Sequence, residues 1–231
     1  MSNLGVRVWR SALASMLVAG VMSAAALAGD LSRYRDFRLG TDLPTVAKQT
    51  GVSPSEAKTI HRRPALIQDL EWRPQPLGSS SMAEAALDVV FSFCNGELFR
   101  IVVNYDRYET EGLTTDDLVD AISTTFGMAS KPAAPAKAAQ GLYGDQQEIL
   151  ARWQDPRYRF DLIRSSYGPS FRLVGVLRDV EVTAQAAVLE ARRLDDQEAP
   201  QRDAARIAGE EAAAKDKLEK ARLVNKPKFR L

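Results

Sequence analysis

Val89-Val90-Phe91-Ser92-Phe93-Cys94-Asn95-Gly96-Glu97-Leu98-Phe99-Arg100-Ile101-Val102-Val103 is the stretch from which the rest of the chain can be read. Val89, Phe91 and Phe93 alternate with Val90, Ser92 and Cys94, the two-residue period of a strand with one buried face. Asn95-Gly96 then breaks the run. Both central residues of a tight hairpin turn need positive φ, so this pair predicts a hairpin of strands near 87–94 and 97–105. On the return strand the pattern sets Phe99, Ile101, Val103 and Tyr105 on one face, with Arg100 and Asn104 on the other.

The pattern returns further along. Phe99-Arg100-Ile101-Val102-Val103 is echoed by Phe171-Arg172-Leu173-Val174-Gly175, and Trp72 in Leu70-Glu71-Trp72-Arg73-Pro74 by Trp153 in Ala151-Arg152-Trp153-Gln154. Asp42-Leu43 leading to Gly51 parallels Asp117-Leu118 leading to Gly127. The three echoes keep their order at offsets of 72, 81 and 75 residues, which points to an old duplication with loops of changed length. Each unit reads as a helix, a loop and three strands. In the first, Thr41 or Asp42 caps a helix near 43–50 that Gly51 ends. Ser53, Pro54 and Glu56 form a second helical start, and strands follow near 67–73, 87–94 and 97–105. In the second, Thr114 caps a helix with Asp117 in its first turn, and its apolar stripe is Leu118, Ala121, Ile122 and Thr125. Strands follow near 148–153, 158–165 and 170–177, with Tyr158, Phe160 and Leu162 opposed to Arg159 and Asp161. The Ala-, Pro- and Lys-rich segment 129–140 reads as an exposed connection.

The predicted fold is α+β: a tandem helix–three-strand repeat over 30–178, an antiparallel sheet with helices on one face and a wet opposite face. A charged helical tail fills 179–231. Val180, Ala184, Ala187, Ala191 and Leu194 give it a thin apolar stripe. Pro200 is expected to stop or kink the helix. Beyond it, Glu211–Lys215 and Asp216–Lys220 are i,i+4 pairs worth about 0.2–0.5 kcal/mol each. The stripe Ile207, Ala214, Leu218 and Ala221 is poor in large side chains, so a solvated helix is the default, with self-association through the tail as a further expectation.

Composition narrows the function. Arg7 and Arg10 precede an apolar run from Ser11 to Ala28 that ends Ala26-Leu27-Ala28, the parts of a signal peptide 1–28 cleaved between Ala28 and Gly29. The retained alternative is an uncleaved anchor. Without that leader the chain carries 29 bases against 30 acids, which offers no electrostatic case for nucleic acid. No cysteine lies near the cleavage site, so no lipid anchor is expected, and the location read is periplasmic or secreted. One cysteine and one histidine leave no internal disulfide and no expected metal or cofactor. Cys94 would be buried or paired between chains.

Candidate site residues are few. His61, Arg62 and Arg63 form the densest cationic cluster, either an anion site or a solvated loop. Ser55 to Lys58 matches S-x-x-K, but neither S-D-N nor K-T-G follows, and Ser55 fits a first-turn residue. Trp72 and Trp153 are paired core anchors or a recognition surface. Arg100, Arg159 and Arg172 would form a basic stripe on the open sheet face, suited to an acidic partner. No catalytic residue is assigned. The alternative to binding is a small hydrolase with a carboxylate pair near strand ends, drawn from Asp106, Glu109, Glu111 and Asp161.

The order helix, loop, three strands, twice over, resembles the β-lactamase-inhibitor-protein fold. Phe37-Arg38-Leu39-Gly40-Thr41-Asp42-Leu43-Pro44-Thr45-Val46, closing at Gly51, is similar to the opening of the SmpA/OmlA family, small envelope proteins of the outer-membrane assembly machinery. Leu70-Glu71-Trp72-Arg73-Pro74 and Asn225-Lys226-Pro227 also resemble exported Gram-negative proteins of unknown function. The chain departs from SmpA/OmlA in lacking a lipobox cysteine. What the resemblance implies is non-enzymatic binding of a protein or envelope component through an open sheet face.

Overall fold

The computed structural model describes residues 29–74, 85–130, 147–165 and 170–228. The leader expected at 1–28, most of the 129–140 connection and the last three residues lie outside these. A short hairpin, β1 (Arg33–Tyr34) with β2 (Phe37–Arg38), leads into α1 (Leu43–Thr50). Asp42 caps α1, its Oδ1 accepting from the Thr45 amide at 2.9 Å, and Gly51 ends it at φ 73°. Hydrogen bonds from Thr45, its side chain first and its amide second, hold the Asp42 carboxyl below the usual range. The start expected at Ser53 is a single 3-10 turn over 54–56, closed by a capping box from Ser53 and Glu56.

The main sheet has seven strands, β3 (Lys58–His61), β4 (Ile67–Trp72), β5 (Ala86–Cys94), β6 (Glu97–Tyr105), β7 (Gln147–Gln154), β8 (Tyr158–Ser165) and β9 (Phe171–Leu177), in the order β3-β4-β5-β6-β9-β8-β7. Every neighbouring pair is antiparallel. α2 (Thr115–Phe126) precedes β7, with Thr114 and Asp117 forming its capping box. α3 (Arg178–Asn225) follows β9. The turn at Asn95-Gly96 takes φ of 51° and 87°, as its position in a tight hairpin requires. Three details differ from the sequence expectation. β3 is an added edge strand, polar and mostly exposed. A register shift after Ser92 sets Leu98 opposite Phe93 and leaves Phe99 outside the one-to-one pairing, so the return strand does not alternate cleanly at its start. The third difference is where the helices sit.

Register defines the two faces. Trp153, Phe160, Gly175, Ile101, Phe91 and Leu70 lie across from one another in successive strands, and next to them run Ala151, Leu162, Leu173, Val103, Val89 and Trp72. This inner face is covered by α1 and α2. Phe126 of α2 stacks on Phe160 at 4.4 Å between centroids, and Val46 and Ala47 of α1 are fully buried. Gly175 is required in this row: a Cβ there would lie 2.3 Å from Cε1 of Phe160. Gly175→Ala is therefore expected to lower unfolding free energy by about 1–3 kcal/mol through overpacking, read from denaturant melts. An unchanged midpoint would mean the Phe160 ring moves aside freely.

The outer face carries Arg159, Val176, Arg100 and Ser92 in one row and Asp161, Val174, Val102 and Val90 in the next. It is not left open. α3 turns back from β9 and approaches β6, burying Ala184, Ala187 and Ala191. Methyl side chains let the helix lie close to the strands, and Val176 is fully buried. Helices thus occupy both faces rather than one, and the segment expected as a separate tail from 179 is in its first half part of the domain. Nor does Pro200 stop the helix, which continues to Asn225. Proline removes one hydrogen bond and crowds the preceding turn, and here Arg202 donates to the Asp195 carbonyl at 2.8 Å in that turn.

Candidate interaction surface

Charge pairs fasten α3 across the sheet. Near its start, Glu181 accepts from Arg159 of β8 at 2.9 Å. About 25 Å of helix later, at about 1.5 Å per residue, Glu198 pairs with Arg63 in the β3–β4 connection. The first anchor is the stronger, because it is sheltered. Asp161, 6% exposed, sits between Arg152 at 2.6 Å and Arg159 at 3.1 Å, and Arg159 in turn meets Glu181. The Asp161 carboxylate beside it raises the Arg152 guanidinium above its ordinary range. Two cations and two anions alternate in a partly sheltered strip, so each charge has an opposite one beside it, although Arg159 Nε faces Asp161 as an ion contact without a hydrogen bond. Glu181→Gln keeps the shape and removes one charge. We expect a loss of about 1–3 kcal/mol in stability, the worth of a hydrogen bond to a charged group. No change in melting would remove this anchor from the account.

The residues singled out from sequence are distributed as follows. Arg159 belongs to that network. Arg100 is exposed opposite Ser92 and Val176, while half-buried Arg172 lies two rows away opposite Asn104 and Ile163. The three arginines therefore share a face without forming one stripe. His61 is half-buried at the end of β3, Arg62 is exposed, and Arg63 is committed to Glu198. Trp153 is buried on the inner face, its Nε1–H donating to the Gly127 carbonyl at 3.0 Å and to Ser123 Oγ at 3.2 Å. Trp72 is half-buried against Phe37, with centroids 5.3 Å apart. Both tryptophans are core anchors. Cys94 is buried and free, and burial pushes its thiol up. Gly29 lies at the start of the described chain, packed so closely on the end of α2 that a Cβ would meet the Thr125 carbonyl at 2.1 Å.

The carboxylates proposed for hydrolysis do not converge. Asp161 is held by two arginines, Asp106 accepts from the Tyr108 amide at 2.7 Å in a turn, and Glu109 and Glu111 are exposed beyond it. A different cluster was missed. A groove of about 400 Å³ lies on the outer face at the β3 side, beyond α3, lined by Glu56, Lys58, Ile60, Asp69, Glu71, Arg73 and Val90. Asp69 and Glu71 share that face by strand alternation. Lys58 stands opposite Asp69, and Arg73 pairs with Glu71 at 2.9 Å. The signal was present as alternating charge in Asp69, Glu71 and Arg73. It could be placed only once β3 supplied Lys58 as a neighbour.

Beyond Pro200 the helix leaves the domain. Every residue from 201 to 228 is exposed, including Ile207, Leu218, Leu223 and Val224. Compared with models of protein families, with curated proteins and with solved structures, the chain shows no match. Among the described residues no group of three or more His, Cys, Asp or Glu could hold a metal ion, and no helix is long and apolar enough to cross a membrane.

Proposed function

We propose that this chain is an exported, non-enzymatic interaction module that binds a protein or cell-envelope component in the periplasm or outside the cell. The observation that carries the reading is the projecting helix. Twenty-eight consecutive residues, 201–228, stand clear of a domain that grips the same helix one turn earlier. A single helix exposed on all sides gains little from propensity alone, so a chain that retains one presents it to something. The groove at β3–β5 is the second contact surface. Its alternating charges, three acids with two bases, suit a polar partner segment better than an apolar ligand.

The duplication belongs to the same proposal. Sheet register supports it: Val102 lies opposite Val174, so Arg100 opposite Val176 mirrors Asn104 opposite Arg172 at the 72-residue offset of the sequence echo. Trp72 on β4 and Trp153 on β7 stand at equal distances from that central pair of strands. We read the module as two such units joined at β6 and β9, with β3 and α3 added.

The hydrolase reading would have to move to Glu56, Asp69 and Glu71. A cation faces Asp69 and another pairs with Glu71, whereas acid catalysis by a carboxyl pair needs one group kept protonated by burial. The groove is better built for recognition. The test is cross-linked capture from native envelopes with the full chain, a chain ending at Ala199, and Asp69→Asn/Glu71→Gln. One specific partner, lost in either variant, supports the module. No capture by any form, together with turnover of an ester or glycoside that the double variant abolishes, would overturn it.

A further inference from the structure

The distal half of α3 has a charge distribution that a lone helix does not require. Within the projecting segment, residues 201–211 hold three acids and two bases, and residues 212–228 hold two acids and six bases. Asp195, Asp196 and Glu198, just before it, extend the acidic side, Glu198 being engaged by Arg63. Macrodipole complementarity acts only within the first and last turn, so it does not account for a division spread over 34 residues. Within the segment, Ala204, Ile207, Glu211, Ala214, Leu218 and Ala221 follow a 3-4 spacing, which places them along one seam. Ile207 is 48% exposed and Leu218 71%, so no described residue of the domain covers that seam.

We propose that this half-helix is covered by a second copy of the same chain, running antiparallel, to form a two-helix dimer. An antiparallel pairing centred between Ala212 and Ala213 sets Ile207 opposite Leu218 of the second copy and Ala204 opposite Ala221. Large side chains then meet large and small meet small. Beside the seam, Glu210 lies next to Lys217 of the second copy, twice by symmetry. Each acidic segment faces a basic one. A parallel pairing in register would set acid on acid and base on base, which disfavours it. Glu211 falls on the seam and holds the affinity down, so the dimer forms and dissociates with concentration. The inference rests on reading the projecting helix as a contact surface, and leaves the β3–β5 groove to the other partner.

Sedimentation equilibrium of the full chain at low and high salt tests it. A monomer–dimer equilibrium is expected that weakens about tenfold or more between 50 and 500 mM NaCl, as screened surface charges let go. Glu210→Lys alone and Lys217→Glu alone each set like charges together and should each weaken dimerisation about fivefold. Mixing the two variants restores complementary pairs and should restore the dimer. For orientation, a Glu211→Cys chain mixed with an Ala214→Cys chain should cross-link on oxidation, because these positions face each other across the antiparallel seam. Asn225→Cys, on the same seam but far from its own copy, should not cross-link to itself. Circular dichroism confirms that each variant keeps its helix. A full chain that stays monomeric with its helix intact overturns the proposal. So does a dimer that survives removal of 201–231, or one indifferent to both charge reversals. Monomers that bind vesicles of anionic lipid would assign the helix to a membrane surface instead. Envelope capture through the groove can succeed while dimerisation fails, so the two readings fail separately.

Discussion

A chain ending at Ala199 is expected to melt within about 2–3 °C of the full chain, while one ending at Leu177 is expected to lose cooperative folding. The two cuts remove different things. The first removes 200–231 with its exposed helix, which contributes only surface contacts such as Arg202–Asp195, Arg206–Glu210 and Asp216–Lys220. The second strips the outer face. It uncovers Val176, leaves Arg159 without Glu181, and removes the buried methyl groups of Ala184, Ala187 and Ala191. Each fully buried aliphatic side chain stabilises by about 1.5–3 kcal/mol, and total stability is about 5–15 kcal/mol for an ordinary domain. Losing Val176 burial and the Glu181 anchor together takes a large part of that range. Thermal melts followed at far-ultraviolet and tryptophan wavelengths decide the matter. Equal melting of both truncated forms would mean that α3 merely rests on the sheet.

Trp153→Ala is the point substitution with the largest expected effect, a loss of about 3–5 kcal/mol. The indole is 1% exposed, packs against Phe126, which stacks in turn on Phe160, and donates to the end of α2. Removing it opens a cavity under α2 and leaves the Gly127 carbonyl without that donor. Trp72→Ala should cost less, because Trp72 is half-buried and touches Phe37 and Phe91 at the margin of the core. Chemical denaturation of both variants gives the comparison. A smaller loss at Trp153 than at Trp72 would contradict the core assignment.

The sequence places every strand from β4 to β9, and most plainly those with two unlike faces. β5, β6, β8 and β9 alternate because one side meets α1 and α2, and the hairpin turn was readable because Asn95-Gly96 has few other uses. The Thr114 cap was legible for the same reason, and the first cap was narrowed to Thr41 or Asp42, of which the structure uses Asp42, where a free helix amide needs an oxygen. β3 was not legible. Lys58-Thr59-Ile60-His61 is short, polar and exposed, and only pairing with β4 makes it a strand. The docking of α3 was hidden too, because its buried stripe is alanine, which carries little hydropathy but permits close approach. That misreading propagated to the site, since an open face was expected where Arg159 is locked to Asp161 and Glu181. The β3–β5 groove followed β3 into obscurity.

The central claim is that one helix divides in two, its first half structural and its second half presented. Hydrogen exchange along α3, measured at a concentration low enough to keep copies apart, tests it most directly. Amides of 184–192 are expected to exchange as slowly as those of β8 and β9, and amides of 203–224 orders of magnitude faster. Uniform exchange along the whole helix, fast or slow, would contradict the division.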